Sequence, residues 1–186
     1  STSDGRSVAF SYDESGSSSH RITSISAAGQ TYRYRYEAVS GVGGAYNLVE
    51  VTGPDGTSWK YGYNGNLNLG PGSHLLNSLT YPQGGRIGYD YDFVRFDAQA
   101  NPGYQTTVVT RKTTSDGQWT YSYTPGNLNT LDTTSVSGPE GTTTYQHVGP
   151  NYATSGTMWQ VGLLMYKNIG GKQIETYSWT KQKLSS

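Results

Sequence analysis

The feature that most restricts what this chain can fold into is a pair of aromatic residues at spacing i, i+2, written again and again behind a glycine-containing turn. The pairs are Phe10/Tyr12, Tyr34/Tyr36, Tyr61/Tyr63, Tyr89/Tyr91, Tyr121/Tyr123, Tyr145/His147 and Tyr177/Trp179, with first members 24, 27, 28, 32, 24 and 32 residues apart. A spacing of two places both rings on one face of an extended strand. Recurrence at such intervals is the mark of a repeat architecture. In two copies a tryptophan extends the alternation, as Trp59, Tyr61, Tyr63 and Trp119, Tyr121, Tyr123.

The turns share one chemistry: Ser3-Asp4-Gly5, Gly53-Pro54-Asp55-Gly56, Pro82-Gln83-Gly84-Gly85, Ser115-Asp116-Gly117, Gly138-Pro139-Glu140-Gly141 and Ile169-Gly170-Gly171. Proline presets φ for a turn and glycine accepts the positive φ that closes a short loop, so each stretch reads as a hairpin tip. Before the tip lies a shorter apolar segment, at residues 22–25, 48–51, 76–79 and 163–166, whose apolar residues sit three apart. Three is not a strand period, which leaves two readings open: a bulged strand, or one buried on both faces. No segment has the pattern of an amphipathic helix; residues 161–167 are too short and glycine-flanked, and residues 32–40 alternate like a strand. A lone hairpin is marginal in water. The expectation is therefore an all-β chain of about seven hairpin units over residues 1–186, stacked into one extended, curved antiparallel sheet, with Tyr and Trp of successive hairpins side by side in ladders.

Composition agrees with this and excludes several functions. Only thirty of 186 residues are Leu, Ile, Val or Phe, but 17 Tyr and 4 Trp supply apolar area, and 13 basic residues balance 13 acidic ones. A neutral chain offers no footprint for nucleic acid or an anionic membrane. Zero Cys removes disulfides, thiolate zinc sites and cysteine nucleophiles. No apolar run is long enough for a membrane helix, and the alternating runs are shorter than a membrane strand needs.

Several copies carry Tyr-Asp, as Tyr12-Asp13-Glu14-Ser15-Gly16 and Tyr89-Asp90-Tyr91-Asp92. Others keep the frame, as Tyr61-Gly62-Tyr63-Asn64-Gly65-Asn66-Leu67 and Tyr121-Ser122-Tyr123-Thr124-Pro125-Gly126-Asn127-Leu128. From about Gly5 to Trp179 the chain resembles the rearrangement-hotspot (Rhs) or YD-repeat proteins. That resemblance implies a piece of a hollow β-shell that encloses a toxic C-terminal domain, in a secreted or cell-surface protein. Its partners would be further shell repeats and the enclosed domain. The family's Asp-Pro autoproteolysis motif has no counterpart here, Asn101-Pro102 being the nearest dipeptide, so no self-cleavage is carried over.

Residues that bear chemistry read more simply as structural. Asp90 and Asp92 share a strand face and with Asp97 could be pictured as a carboxylate cluster for acid/base or cation chemistry, but the repeat itself calls for Asp after Tyr, and Asp13 and Asp92 suit side-chain bonds to the following turn. His20, His74 and His147 are isolated, with no metal-ligand spacing, and His147 stands where the second aromatic of its pair belongs. Ser17, Ser18 and Ser19 lie in no nucleophile elbow, and no phosphate-binding glycine pattern occurs. The expectation is no catalytic residue, no metal and no cofactor. A competing reading takes the aromatic rows, or the irregular stretches at residues 92–104 and 149–159, as a glycan-binding surface. Unpaired sheet edges would also invite self-association.

Overall fold

The computed structural model describes residues 7–13, 20–64, 75–96 and 106–182. The chain is all-β. Among the described residues thirteen strands follow one another in the sheet in chain order. They are β1 (Val8–Tyr12), β2 (Ile22–Ala27), β3 (Gln30–Ala38), β4 (Tyr46–Thr52), β5 (Ser58–Tyr63), β6 (Leu76–Thr80), β7 (Arg86–Val94), β8 (Thr106–Thr114), β9 (Gly117–Thr124), β10 (Asp132–Gly138), β11 (Gly141–His147), β12 (Leu164–Ile169) and β13 (Gln173–Thr176). Among the described residues the only helical element is one 3-10 turn, Met158–Gln160. The chain divides into two compact units, Ser1–Tyr89 and Asp90–Ser186.

Pairing is antiparallel and comes in hairpins: β2–β3, β4–β5, β6–β7, β8–β9, β10–β11 and β12–β13. The aromatic pairs ride on the second strand of each hairpin or, for Tyr177/Trp179, immediately after it; β1 carries Phe10/Tyr12 in the same role. The expected tips all close hairpins, apart from Ser3-Asp4-Gly5, which lies outside the described residues. Two of them are built alike. Gly56 N–H donates to the Gly53 carbonyl at 3.0 Å and Gly84 N–H to that of Tyr81 at 2.9 Å, with Gly56 and Gly84 at φ of 79° and 88°. A proline-led turn closed by a left-handed glycine is the three-residue hairpin loop. A further tip, Ala28-Gly29, has positive φ at both residues, 51° and 76°. Sequence reading misses it, because alanine gives no hint of a left-handed position.

The three-residue apolar spacing now has a cause. At four joints where an aromatic strand meets the first strand of the next hairpin, the register slips by one. Phe10 and Tyr12 face Ile25 and Ile22, so Thr23 is the extra residue. Tyr34 and Tyr36 face Val51 and Leu48, with Val49 extra. Tyr61 and Tyr63 face Leu79 and Leu76, with Asn77 extra. In the second unit Tyr145 and His147 face Lys167 and Leu164, with Met165 extra. A β-bulge sets two residues against one. In the segments at 22–25, 48–51 and 76–79 aromatics two apart therefore match aliphatics three apart, and the bulge is the correct reading there; at 163–166 the facing residues are instead Leu164 and Lys167.

The same registers correct the expected ladder. Aromatics of successive hairpins do not stand side by side; an aliphatic strand intervenes. Val51 lies between Tyr34 and Trp59, and Ile25 between Phe10 and Tyr32. Aromatic against branched aliphatic is a favourable cross-strand pairing, so alternation fills the row as well as aromatic stacking would. The opposite face is polar, with hydroxyl pairs Ser26–Thr31 and Ser137–Thr142, each at 2.8 Å. Burial is slight: among the described residues only Asp132, Val148 and Gly149 are buried.

Candidate functional site

The joints between hairpins have a polar part as well as an apolar one, and it recurs. A bulge leaves ladder groups without their usual partner. The second aromatic of the pair reaches one of them. Tyr63 Oη–H donates to the Leu48 carbonyl at 2.8 Å, and Leu48 flanks the bulge of β4. Trp179 Nε1–H donates to the Leu164 carbonyl at 2.8 Å, Leu164 holding the same place on β12. Tyr123 Oη–H donates to the Val109 carbonyl of β8, also at 2.8 Å. Burial is the main cause that raises the Tyr63 and Tyr123 hydroxyls above the usual phenol range, which keeps both as donors. The joint closes the same way in three places. The N–H just past the aromatic pair donates to the carbonyl just before the aliphatic one: Asp13 to Arg21 at 2.8 Å, Asn64 to Leu75 at 2.8 Å, Val148 to Leu163 at 3.0 Å.

The tryptophans extend the joints toward the tips. Trp59 meets Tyr81 edge-to-face at 4.8 Å between centroids. Trp119 lies against the Gly138 backbone, so closely that a methyl group there would fall 2.4 Å from the indole. Tyr81 and Gly138 each precede the proline of the next tip. Lys112, paired across from Trp119, places its ammonium 5.2 Å from the ring centroid. Most of the sequence-selected aromatics are half-buried: Tyr34, Tyr36, Tyr61, Tyr63, Tyr89, Tyr91, Trp119, Tyr121, Tyr123, Tyr145 and Tyr177. Phe10, Tyr12, Trp59 and Trp179 remain exposed.

The carboxylates and histidines do not converge. Asp90 pairs with Arg111, and Asp92 accepts a hydrogen bond from the Phe93 N–H at 2.7 Å, inside β7 rather than in a turn. Asp13 pairs with the Arg21 guanidinium, which also lies 3.6 Å from the centre of the Tyr46 ring. His20 meets Tyr12 edge-on at 6.5 Å. Asp97, His74, Ser17, Ser18 and Ser19 lie outside the described residues. Among those described, no three His, Asp or Glu side chains come together as metal ligands, and no helix is long and apolar enough to cross a membrane.

One cluster in the second unit went unnoticed in the sequence. The buried Asp132 carboxylate accepts the Gly126 N–H at 2.6 Å. Asn151 Nδ2 donates both to the Phe96 carbonyl at 2.7 Å and to the Gly126 carbonyl at 3.1 Å. Phe96 in turn meets Tyr123 edge-on at 6.3 Å. Gly149 is packed against Asp132 so closely that a Cβ would lie 2.2 Å from Oδ1. His147 stands opposite Asp132; burial lowers its basicity and the Asp132 charge opposes that shift. The cluster ties together three connections at residues 96, 126 and 151. Its sequence signal is no more than a glycine six residues before an aspartate.

No protein-family model matches this sequence, and no curated protein matches it.

Proposed function

We propose that this chain is a structural β-repeat segment, part of a wall of the Rhs or YD-repeat kind, with no catalysis of its own. Its partners are further repeats of a longer secreted or cell-surface protein and the toxin domain such a wall encloses. The observation that carries this reading is the joint that recurs: aromatics two apart facing residues three apart across a bulge at four joints, with a Tyr hydroxyl or Trp indole N–H on the carbonyl at the bulge in two of them. It is a device for adding one hairpin to the next, as expected where each repeat is stabilised by its neighbours. The polar residues fit the same account, since Asp13, Asp90, Asp92 and Asp132 are all engaged in ion pairs or backbone contacts.

The test is the native reading frame. Flanking sequence that continues the turn, aromatic-pair and i, i+3 aliphatic pattern on both sides, leading to a C-terminal domain without it, supports the proposal. Flanks lacking any such pattern overturn it. The exposed rings of Tyr32, at 43%, and Trp59, at 38%, favour the glycan-binding reading as the second choice. Saturable glycan-array binding by the intact chain, abolished by Trp59→Ala, would move that reading to first place.

A further inference from the structure

Among the described residues two hairpin tips carry the dipeptide Asp-Gly: Asp55-Gly56 between β4 and β5, and Asp116-Gly117 where β8 turns into β9. In this dipeptide the side-chain carboxyl can close on the following backbone nitrogen, because glycine has no Cβ to obstruct the approach. Both aspartates are exposed. The two tips differ in what holds the reacting atoms.

At the first tip Asp55 Oδ1 accepts the Thr57 N–H at 3.1 Å and the Thr57 hydroxyl at 2.8 Å, an Asx turn. The bonds from Thr57 hold the Asp55 carboxyl below the usual carboxylate range, and so as the anion, which is a poor electrophile. Gly56 N–H, the group that would have to attack, is engaged on the Gly53 carbonyl at 3.0 Å. Electrophile and nucleophile are both held away from each other.

At the second tip the threonine contact goes to the main chain instead. Asp116 N–H donates to Thr114 Oγ1 at 3.1 Å, while its carboxylate accepts the Ser115 hydroxyl at 3.2 Å, long for a bond between oxygens. Residue 117 is also held to glycine by packing. Its φ is 148°, and a Cβ there would fall 2.4 Å from Pro139 Cγ in the tip of the next hairpin, so no side chain that would slow ring closure fits.

We propose that Asp116 is a site of spontaneous isoaspartate formation in the folded chain, and that Asp55, in the same dipeptide, is protected by its Asx turn. The Gly117 nitrogen attacks Cγ of the protonated Asp116 carboxyl and gives up its proton; the N–Cγ bond forms and the carboxyl hydroxyl leaves as water, closing a succinimide. Water then opens the ring. Attack at Cγ restores aspartate, whereas attack at the Asp116 backbone carbonyl breaks its bond to the Gly117 nitrogen and leaves the chain running through Cγ. The product has one more methylene in the main chain and a free α-carboxylate, at a tip whose glycine packs on Pro139.

The experiment ages the intact folded chain at neutral pH and reads isoaspartate by methyl transfer from labelled S-adenosylmethionine with a protein L-isoaspartyl O-methyltransferase. Peptide mapping assigns the label, with Asp4-Gly5 and Asn64-Gly65, which share the chemistry, scored separately. Label should accumulate at residue 116 about tenfold faster than at residue 55, the rate factor of one further hydrogen bond to a carboxylate. Asp116→Glu, whose longer side chain closes such a ring far less readily, should remove the label at 116. Thr57→Val, which takes the hydroxyl bond from Asp55, should raise the label at 55 several-fold and leave 116 unchanged. Equal rates at 55 and 116 in the folded chain overturn the proposal. So does a folded chain unlabelled at 116 when the urea-unfolded chain reacts at both sites, and a Thr57→Val variant with residue 55 unchanged overturns the protection of Asp55.

Discussion

The β5–β6 joint of the first unit and the β9–β10 joint of the second begin from the same aromatic alternation, Trp59-Lys60-Tyr61-Gly62-Tyr63 and Trp119-Thr120-Tyr121-Ser122-Tyr123, and end differently. In the first, Tyr61 and Tyr63 meet Leu79 and Leu76 across a bulge. In the second, Tyr121 and Tyr123 meet Val136 and Thr134 in unbroken register, and the connection that follows folds back onto Asp132. Both joints keep the Tyr hydroxyl on a carbonyl of the strand before it. Only the second adjoins buried residues. The repeat itself is thus held by many half-exposed cross-strand pairs, each worth ~0.2 to 1 kcal/mol. True burial arises where a connection departs from the repeat.

The sharpest break of this contrast is Gly149→Ala, whose methyl group would collide with the buried Asp132 carboxyl. A loss of roughly 3 kcal/mol is expected from overpacking and a displaced hydrogen bond. Gly43→Ala, with nothing within 4 Å of the new methyl, should stay within about 0.5 kcal/mol of wild type. Urea melts compare the two; equal midpoints would mean that the cluster contributes no more than a surface loop.

Ring truncation comes next. Tyr61→Ala and Tyr121→Ala remove half-buried rings, so each should lose about 2 kcal/mol, below the ~3 to 5 of a fully buried aromatic. Losses near 5 in melts of these variants would show the rows to be covered in solution, for example by self-association.

A smaller effect separates the polar half of the joint from the apolar half. Tyr63→Phe and Tyr123→Phe keep the rings but leave the Leu48 and Val109 carbonyls without their donors, for an expected loss of about 1 kcal/mol each. Amide exchange should quicken in β4 and β8 respectively. Unchanged exchange there would make the hydroxyl caps incidental.

The smallest expected effect is one of pH. Burial holds the His147 pKa below its unfolded value, so the native state binds fewer protons than the unfolded one. Its contribution is full above roughly pH 6.5 and is lost as pH falls from there through the lowered native value. Urea midpoints at acid and neutral pH should converge for His147→Phe, which restores an aromatic to the pair. An undiminished slope in that variant would assign the acid sensitivity to other groups.

How much was legible follows from what is local. The spacing of two between Tyr34 and Tyr36, and the Pro-Gly chemistry of residues 53–56 and 82–85, are properties of short stretches, and strands and tips follow from them by sterics. The spacing of three between Leu48 and Val51 was visible but ambiguous, because a bulge exists only relative to a partner strand. Ala28-Gly29 was invisible, since the hairpin imposes the left-handed conformation on an alanine that does not favour it by itself.

Sequence alone therefore determined the class of fold, the identity of the aromatic strands and the turns that carry Pro-Gly or Asp-Gly chemistry, because alternation and turn chemistry act within a few residues. Only the tertiary structure decided that aliphatic strands separate the aromatic ones, that Tyr63, Tyr123 and Trp179 cap carbonyls, and that Asp132, Gly126, Asn151 and Gly149 converge. Those outcomes depend on cross-strand register and on loops meeting far along the chain. A one-residue slip in register changes every such contact while leaving the local pattern of the sequence untouched.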